Sequence, residues 1–168
     1  MTTSDIPVPK VPRLQVDDPL GPRIVIIDKP DSVQTAVRIG QLGVPRKTPD
    51  YMDLDQAIRI LGGARSNRLF RVLRSERGLT CSPSADLSPM LLAGDITAET
   101  DTRTEATGEA VRVIVDEFTR LQRERIGDGE LAGAQAYMTG SFPLTIETPG
   151  AIARQVVKSA AALLLAPR

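Results

Sequence analysis

The chain has 168 residues, of which 41% are hydrophobic and 25% are charged, a composition typical of one globular domain with a substantial core. Its 21 basic and 21 acidic residues give a formal net charge of zero, and aromatic residues make up only 3%. These values argue against a cationic nucleic-acid-binding domain and against a surface for base stacking. We therefore expect no nucleic-acid partner.

A single cysteine, Cys81, excludes an intramolecular disulfide framework. The N-terminal MTTSDIPVPKVP lacks the charged start and the apolar run of a secretory signal. The most apolar stretch, residues 160–166, is much shorter than the roughly 20 residues of a membrane-spanning helix. We expect a soluble protein of the cytoplasm or periplasm that makes no membrane contact.

Five prolines in residues 1–22 predict an extended arm, followed by one domain over residues 23–168. Residues 24–27 (IVII) have the composition of a short buried strand, and a turn is predicted directly after them. Residues 33–42 alternate between apolar and polar side chains, which predicts a second strand antiparallel to the first.

The Thr48-Pro49 pair predicts a helix N-terminus, because a hydroxyl can cap the first turn and proline needs no hydrogen-bond acceptor there. Apolar residues follow at helical spacing until Gly62-Gly63, which are predicted to end the helix. A shorter helix is predicted over residues 67–77. The spacing predicts that the helix buries Leu69, Val72 and Leu73 and that it ends at Gly78.

Strands are predicted near residues 79–87 and 91–97. Thr102 and Glu105 match a capping box and predict the start of a long amphipathic helix. The predicted apolar stripe of that helix comprises Ala110, Val111, Ile114, Val115, Phe118 and Leu121. Two further helices are predicted beyond it, the first capped by Asp128 and kinked by Pro143, the second beginning at Thr148-Pro149. This order of elements predicts an α+β fold, with helices on one face of a mostly antiparallel sheet.

Three segments carry a family resemblance: residues 24–43 (IVIIDKPDSVQTAVRIGQLG), residues 60–80 (ILGGARSNRLFRVLRSERGLT), and residues 101–149, which begin DTRTEATGEAVRVIVDEFTRL. Together they closely resemble the C-terminal, non-zinc half of pitrilysin/insulinase-type peptidases, particularly bacterial processing-peptidase-like members. The resemblance implies a metallopeptidase-like half-domain. Since the family's preceding strand and helix are absent and its pattern fades after Gln155, we expect a domain that is incomplete at both ends.

Members of this family are clam-like chambers built from two homologous halves, and only one half carries zinc on a His-x-x-Glu-His motif. The resemblance implies that this chain is the other, non-catalytic half. It would pack on a zinc-bearing homologous subunit or domain and help to enclose and position a peptide substrate. The partner would supply zinc, its ligands and the general-base glutamate. The alternative is a structural or interaction protein, or a degenerate fragment, without a role in proteolysis.

The residue inventory agrees with a metal-free half. The sequence contains no histidine, and one cysteine cannot supply the about three protein ligands that a catalytic zinc needs. A cysteine nucleophile would also normally need a nearby base such as histidine. We therefore expect no catalytic residue, no metal ligand and no cofactor in this chain, and no peptidase activity when it is alone.

The resemblance further implies a substrate-contacting pair, an arginine and a tyrosine, at positions occupied here by Arg74 and Cys81. A thiol is a weaker hydrogen-bond donor than a phenol, so we expect a weaker contact with substrate. The alternative for Arg74 is a solvated side chain paired with Glu76 or another neighbour, and for Cys81 a half-buried apolar residue. Gly62 and Gly63 are candidates for lining the substrate path, and the alternative for both is helix termination alone.

Overall fold

The computed structural model describes residues 21–63, 67–90 and 93–164, with side chains described as far as residue 160. The chain divides into two units, Met1–Asp31 and Ser32–Arg168. Most of the predicted proline-rich arm, residues 1–22, precedes residue 21 and so lies outside the described residues. The predicted boundary between residues 22 and 23 stays a prediction.

In the first unit, the prediction of a buried strand at residues 24–27 is wrong. No strand occurs within residues 21–31, and the four apolar side chains at 24–27 are each at least 76% exposed. The reason is that apolar composition does not supply a neighbouring strand, and strand preference depends on packing against such neighbours. The predicted turn is present at Pro30-Asp31, where Asp31 has a left-handed φ of 66°.

The second unit contains an antiparallel sheet and several helices, which confirms the predicted α+β class. The strands of the described residues are β1 (Gln34–Leu42), β2 (Ser84–Pro89) and β3 (Gly94–Arg103), in the order β1-β3-β2. The α-helices are α1 (Tyr51–Ile58), α2 (Thr107–Arg123), α3 (Asp128–Ser141) and α4 (Pro149–Leu164). Wider π-helical turns form over Arg59–Gly63 and Phe70–Glu76, and 3-10 turns over Thr104–Ala106 and Phe142–Ile146.

Strand β1 pairs with β3 rather than with residues 24–27 as predicted. Gln34 lies opposite Arg103 at one end of this pairing, and Leu42 lies opposite Asp95 at the other. Side chains alternate along β3, so Ile96 and Ala98 are buried while Glu99 is exposed. One face of the sheet therefore joins the hydrophobic core, and the opposite face is polar.

The core lies between that buried face and the helices. Its fully buried large side chains are Leu61, Leu69, Leu73 and Ile114. The predicted inward residues of the 67–77 helix are confirmed, although its hydrogen bonding is π-helical over Phe70–Glu76. As predicted, this helix stops at Gly78, which has a φ of +61°. Among the described residues, we found no helix with the length and apolar character needed to cross a bilayer.

Three predicted helix starts differ from the structure. Helix α1 begins at Tyr51, two residues beyond Pro49, and Thr48 contributes its backbone oxygen to the turn before it. The predicted capping box is wrong, since Thr102 lies within β3 and its hydroxyl donates to the Leu79 carbonyl. Strand pairing through Arg103 satisfies the backbone there and displaces the local cap. Asp128 is the first residue of α3, and Gly127 occupies the cap position.

The later helices follow the predicted order with local changes. On α2, the predicted apolar stripe is largely confirmed: Ala110 and Ile114 are buried, and Val111, Phe118 and Leu121 pack against the core. Val115 departs from the prediction, being 47% exposed, and Val113 and Glu117 are buried as well. Pro143 does not kink α3 but follows its end, in the 3-10 turn. The predicted cap of α4 is confirmed: the Ala151 N–H donates to the Thr148 hydroxyl at 3.2 Å.

Candidate functional site

Arg74 and Cys81 are in direct contact, but through the cysteine backbone and not through its thiol. Arg74 Nη1 donates to the Cys81 carbonyl oxygen at 2.9 Å. The guanidinium carbon of Arg74 also lies 4.9 Å from the centre of the Phe70 ring, within cation–π range. Both Arg74 and Cys81 are exposed. The result is an exposed guanidinium with a defined position.

The contact exists because the chain reverses sharply between the two residues. Gly78 takes the left-handed conformation that ends the helix, and its N–H donates to the Arg74 carbonyl at 3.1 Å. The Leu79 N–H then donates to the Leu73 carbonyl at 2.8 Å. These two bonds direct the following residues back past the last helical turn, where Cys81 meets Arg74.

The predicted alternative for Arg74 was a solvated side chain paired with Glu76 or another neighbour. Arg74 is exposed, but among the described residues it forms no ion pair with Glu76. The Glu76 carboxylate instead contacts Arg71 at 3.5 Å. Within the described ranges, Arg74 donates only to the Cys81 carbonyl, so most N–H groups of its planar guanidinium are open to solvent. Such a group can bind a peptide carbonyl or a carboxylate.

Gly62 and Gly63 lie elsewhere in the fold, next to β2 and to Arg59. A Cβ added at Gly62 would be 2.1 Å from the Ala85 backbone nitrogen and 2.5 Å from the Ala85 Cβ. At Gly63 the nearest atom would be Arg59 Cγ, at 2.9 Å. Gly62 is buried, and its role is to let the first π-helical turn approach the sheet. Close packing therefore accounts for Gly62 without a substrate contact, and the substrate-path role of both glycines stays a prediction.

The sequence alone did not identify the polar face of the sheet as a possible binding surface. A shallow depression of about 150 Å³ lies beside the Cys81 loop, bordered by Ser82, Ser84, Arg38, Glu99 and others. A neighbouring depression of about 310 Å³ contains Asp86, Asp95 and Glu99. The signal was the alternation of β3, which places Asp95, Thr97, Glu99, Asp101 and Arg103 on the face opposite the core.

The donor atoms of the chain do not fit a catalytic zinc ion. Histidine is absent from the whole sequence, and Cys81 is the sole thiol. In the described part of the chain, no three carboxylates or thiols come together in a group that could hold a metal ion. We therefore derive no chemical step through a metal bound to this chain.

The peptidase M16 inactive domain matches residues 2–138 of this sequence, most of its length. The chain belongs to the peptidase M16 inactive-domain family. This finding confirms the resemblance to the non-zinc half of these peptidases.

Similar proteins agree with the assignment of this M16 inactive domain. It is 26% identical over 126 residues to an uncharacterised zinc protease of Streptomyces coelicolor, covering 75% of this chain and 28% of that protein. A second, from Mycobacterium tuberculosis, is 27% identical over 127 residues, covering 76% and 29%. The crystal structure of a peptidase M16 inactive domain from Pseudomonas fluorescens is 28% identical with a TM-score of 0.63, covering 72% and 32%. The M16 inactive domain thus spans less than a third of the curated relatives that it matches.

Proposed function

We propose that this M16 inactive domain packs against a zinc-bearing homologous subunit or domain and helps to enclose and position a peptide substrate. It contributes no catalytic group. The observation that carries the proposal is the position of Arg74, an exposed guanidinium fixed by the Cys81 carbonyl and the Phe70 ring. A fixed guanidinium loses less side-chain entropy on binding than a mobile one, which favours contact with a peptide carbonyl or carboxylate.

The exposed apolar surface of helices α3 and α4 supports the proposed partner. Helix α3 has no buried residue. Several large apolar side chains on and between α3 and α4 are about half or more exposed: Tyr137, Phe142, Leu144, Ile152, Val156 and Val157. Exposed apolar side chains gathered on consecutive elements are typical of protein interfaces. The relatives described as zinc proteases also contain much sequence beyond the part matched here.

The proposed role of Arg74 predicts a defect in turnover without a defect in folding. With a zinc-bearing homologue present, Arg74→Ala should lower kcat/KM for peptide cleavage by about tenfold, the loss expected for one charge-assisted hydrogen bond. The matched control is Arg71→Ala, because Arg71 is exposed on the same π-helix and pairs with Glu76. Peptidase assays of both variants, with unchanged thermal unfolding, check the prediction. Equal activity of the two variants would show that Arg74 is only a surface charge.

A second prediction concerns the thiol at position 81. Since Cys81 holds Arg74 through its backbone carbonyl, Cys81→Tyr should keep that contact and add a phenol donor beside it. We expect kcat/KM of the partnered enzyme to rise severalfold, about 1 kcal/mol in transition-state binding. Cys81→Phe is the control, since it adds the ring without the hydroxyl. If Phe and Tyr give the same rate, the phenol adds no contact with substrate and the prediction fails. If Tyr lowers the rate, the thiol of Cys81 has a role of its own in the partnered enzyme.

A further inference from the structure

We propose that Thr80 is the positioning residue of this site: its buried hydroxyl orients the Cys81–Ser82 peptide group so that the Cys81 carbonyl holds Arg74. The inference rests on the proposed function of Arg74. It assigns to Thr80 no contact with the substrate.

Hydrogen bonds attach Thr80 to β3 and use both the donor and the acceptor capacity of its hydroxyl. It is buried and forms an isolated antiparallel bridge with Thr102. Its Oγ1 lies 2.6 Å from the Asp101 carbonyl oxygen and 2.6 Å from the Thr100 Oγ1. Because a carbonyl can only accept, the single hydroxyl hydrogen of Thr80 goes to Asp101, and the Thr100 hydroxyl donates to Thr80.

The remaining lone pair of the Thr80 hydroxyl accepts from the loop itself. The Ser82 N–H donates to Thr80 Oγ1 at 3.4 Å, a local turn across two residues. This N–H and the Cys81 carbonyl belong to the same planar peptide group. In a trans peptide the N–H and the C=O point in opposite directions. Binding the N–H toward β3 therefore turns the carbonyl away from β3, and that carbonyl is the acceptor for Arg74 Nη1.

A neighbouring threonine provides a matched control. The Thr102 hydroxyl is also buried and donates to the Leu79 carbonyl at 2.7 Å. Thr102→Val therefore removes a comparable buried hydrogen bond between the same loop and the same strand. It leaves the bonds of the Cys81–Ser82 peptide group in place. If the role of Thr80 is only structural, the Arg74 side chain should stay ordered in both Thr80→Val and Thr102→Val.

The first test needs no peptidase. NMR of the side-chain Nε–Hε group of Arg74, assigned by its loss in Arg74→Ala, reports the order of the guanidinium. We expect Thr80→Val to move this resonance to that of a mobile arginine, while Thr80→Ser and Thr102→Val retain the ordered signal. An ordered Arg74 signal in Thr80→Val would overturn the inference, whatever the activity.

Hydrogen exchange of the unmodified chain covers the case in which Thr80→Val does not fold. The Ser82 amide should exchange more slowly than an unprotected amide, and exchange at the unprotected rate would overturn the inference.

The second test measures turnover with the zinc-bearing homologue. Thr80→Val should lower kcat/KM about as much as Arg74→Ala, and the double variant should be no slower than Arg74→Ala alone. Additive losses would overturn the inference, because Thr80 would then act independently of Arg74. If Thr80→Val releases Arg74 by NMR but neither variant alters turnover, the coupling of Thr80 to Arg74 stands and the proposed function fails.

Discussion

Replacing Gly62 with alanine is expected to lower the free energy of unfolding by about 3 kcal/mol or more, or to prevent folding. The added Cβ would lie 2.1 Å from the Ala85 nitrogen and 2.7 Å from the Ala85 Cα, both backbone atoms of β2. Backbone atoms cannot rotate away as the end of a side chain can. The first π-helical turn and β2 must therefore separate, which opens the core beside Leu61, a fully buried residue.

Urea and thermal unfolding of two alanine variants check this prediction. Gly133→Ala is the control, since Gly133 lies on α3 and its added Cβ would have no atom within 4 Å apart from its chain neighbours and the backbone of its own helix. That substitution should stabilise the chain by up to about 1 kcal/mol through helix propensity alone. If Gly62→Ala unfolds within about 1 kcal/mol of the unmodified chain, the close approach of helix and strand is not needed for stability.

Local periodicity was sufficient to predict most of the helices and strands. The alternation of residues 33–42 predicted β1, and the spacing of Leu69, Val72 and Leu73 identified part of the core. These patterns work because a side chain is buried or exposed according to its position within one element. The Thr148 cap of α4 was predicted for the same reason, since donor and acceptor lie in one turn.

The errors arose where a distant segment decides the structure. Residues 24–27 look like a buried strand, yet composition does not define a partner, and their side chains are exposed. Thr102 and Glu105 match a capping box, but pairing with β1 extends β3 through Arg103 and removes the cap. Strand pairing depends on residues far apart in sequence, so no local pattern could have revealed it.

The candidate site shows the same limit. The family resemblance pointed to Arg74 and Cys81, and the structure brings the two into contact. The acceptor is a backbone carbonyl, however, and every residue has one, so the identity of residue 81 could not predict the bond. The support from Thr80 was also hidden, because its partners Thr100 and Asp101 lie on β3, 20 and 21 residues further along the chain.

Glu130→Gln is expected to destabilise the chain by about 3 kcal/mol, because it leaves a buried guanidinium without a counter-charge. The Arg68 side chain is only 3% exposed and donates to both carboxylate oxygens of Glu130, at 3.0 and 2.7 Å. Its Nη1 is buried without a hydrogen-bond partner in the described structure, so Arg68 depends strongly on this carboxylate. Since α3 has no buried residue, the ion pair is also a principal polar attachment of that helix.

Chemical unfolding of three variants tests this assignment. Glu105→Gln is the matched control, because Glu105 pairs with Arg103 at 3.1 Å with both side chains largely exposed. It should cost less than about 1 kcal/mol. The double variant Arg68→Met with Glu130→Gln should recover much of the loss, since it removes the buried charge as well. A single variant no less stable than Glu105→Gln would show that water or other groups already satisfy Arg68.

The stabilisation by Glu130 should also depend on pH, in a direction fixed by its pKa. The hydrogen bond from Arg68 is the main cause that lowers the pKa of Glu130 below its ordinary value of 4.5. The unfolded chain therefore takes up this proton at a higher pH than the folded chain does. The contribution of the Glu130 carboxylate to the free energy of unfolding is complete above the ordinary pKa. It is lost as the pH falls through the lower pKa of the folded chain. The stability difference between the unmodified chain and Glu130→Gln should thus be constant near neutral pH and shrink below about pH 4.5. A difference that grows on acidification would contradict the ion pair with Arg68.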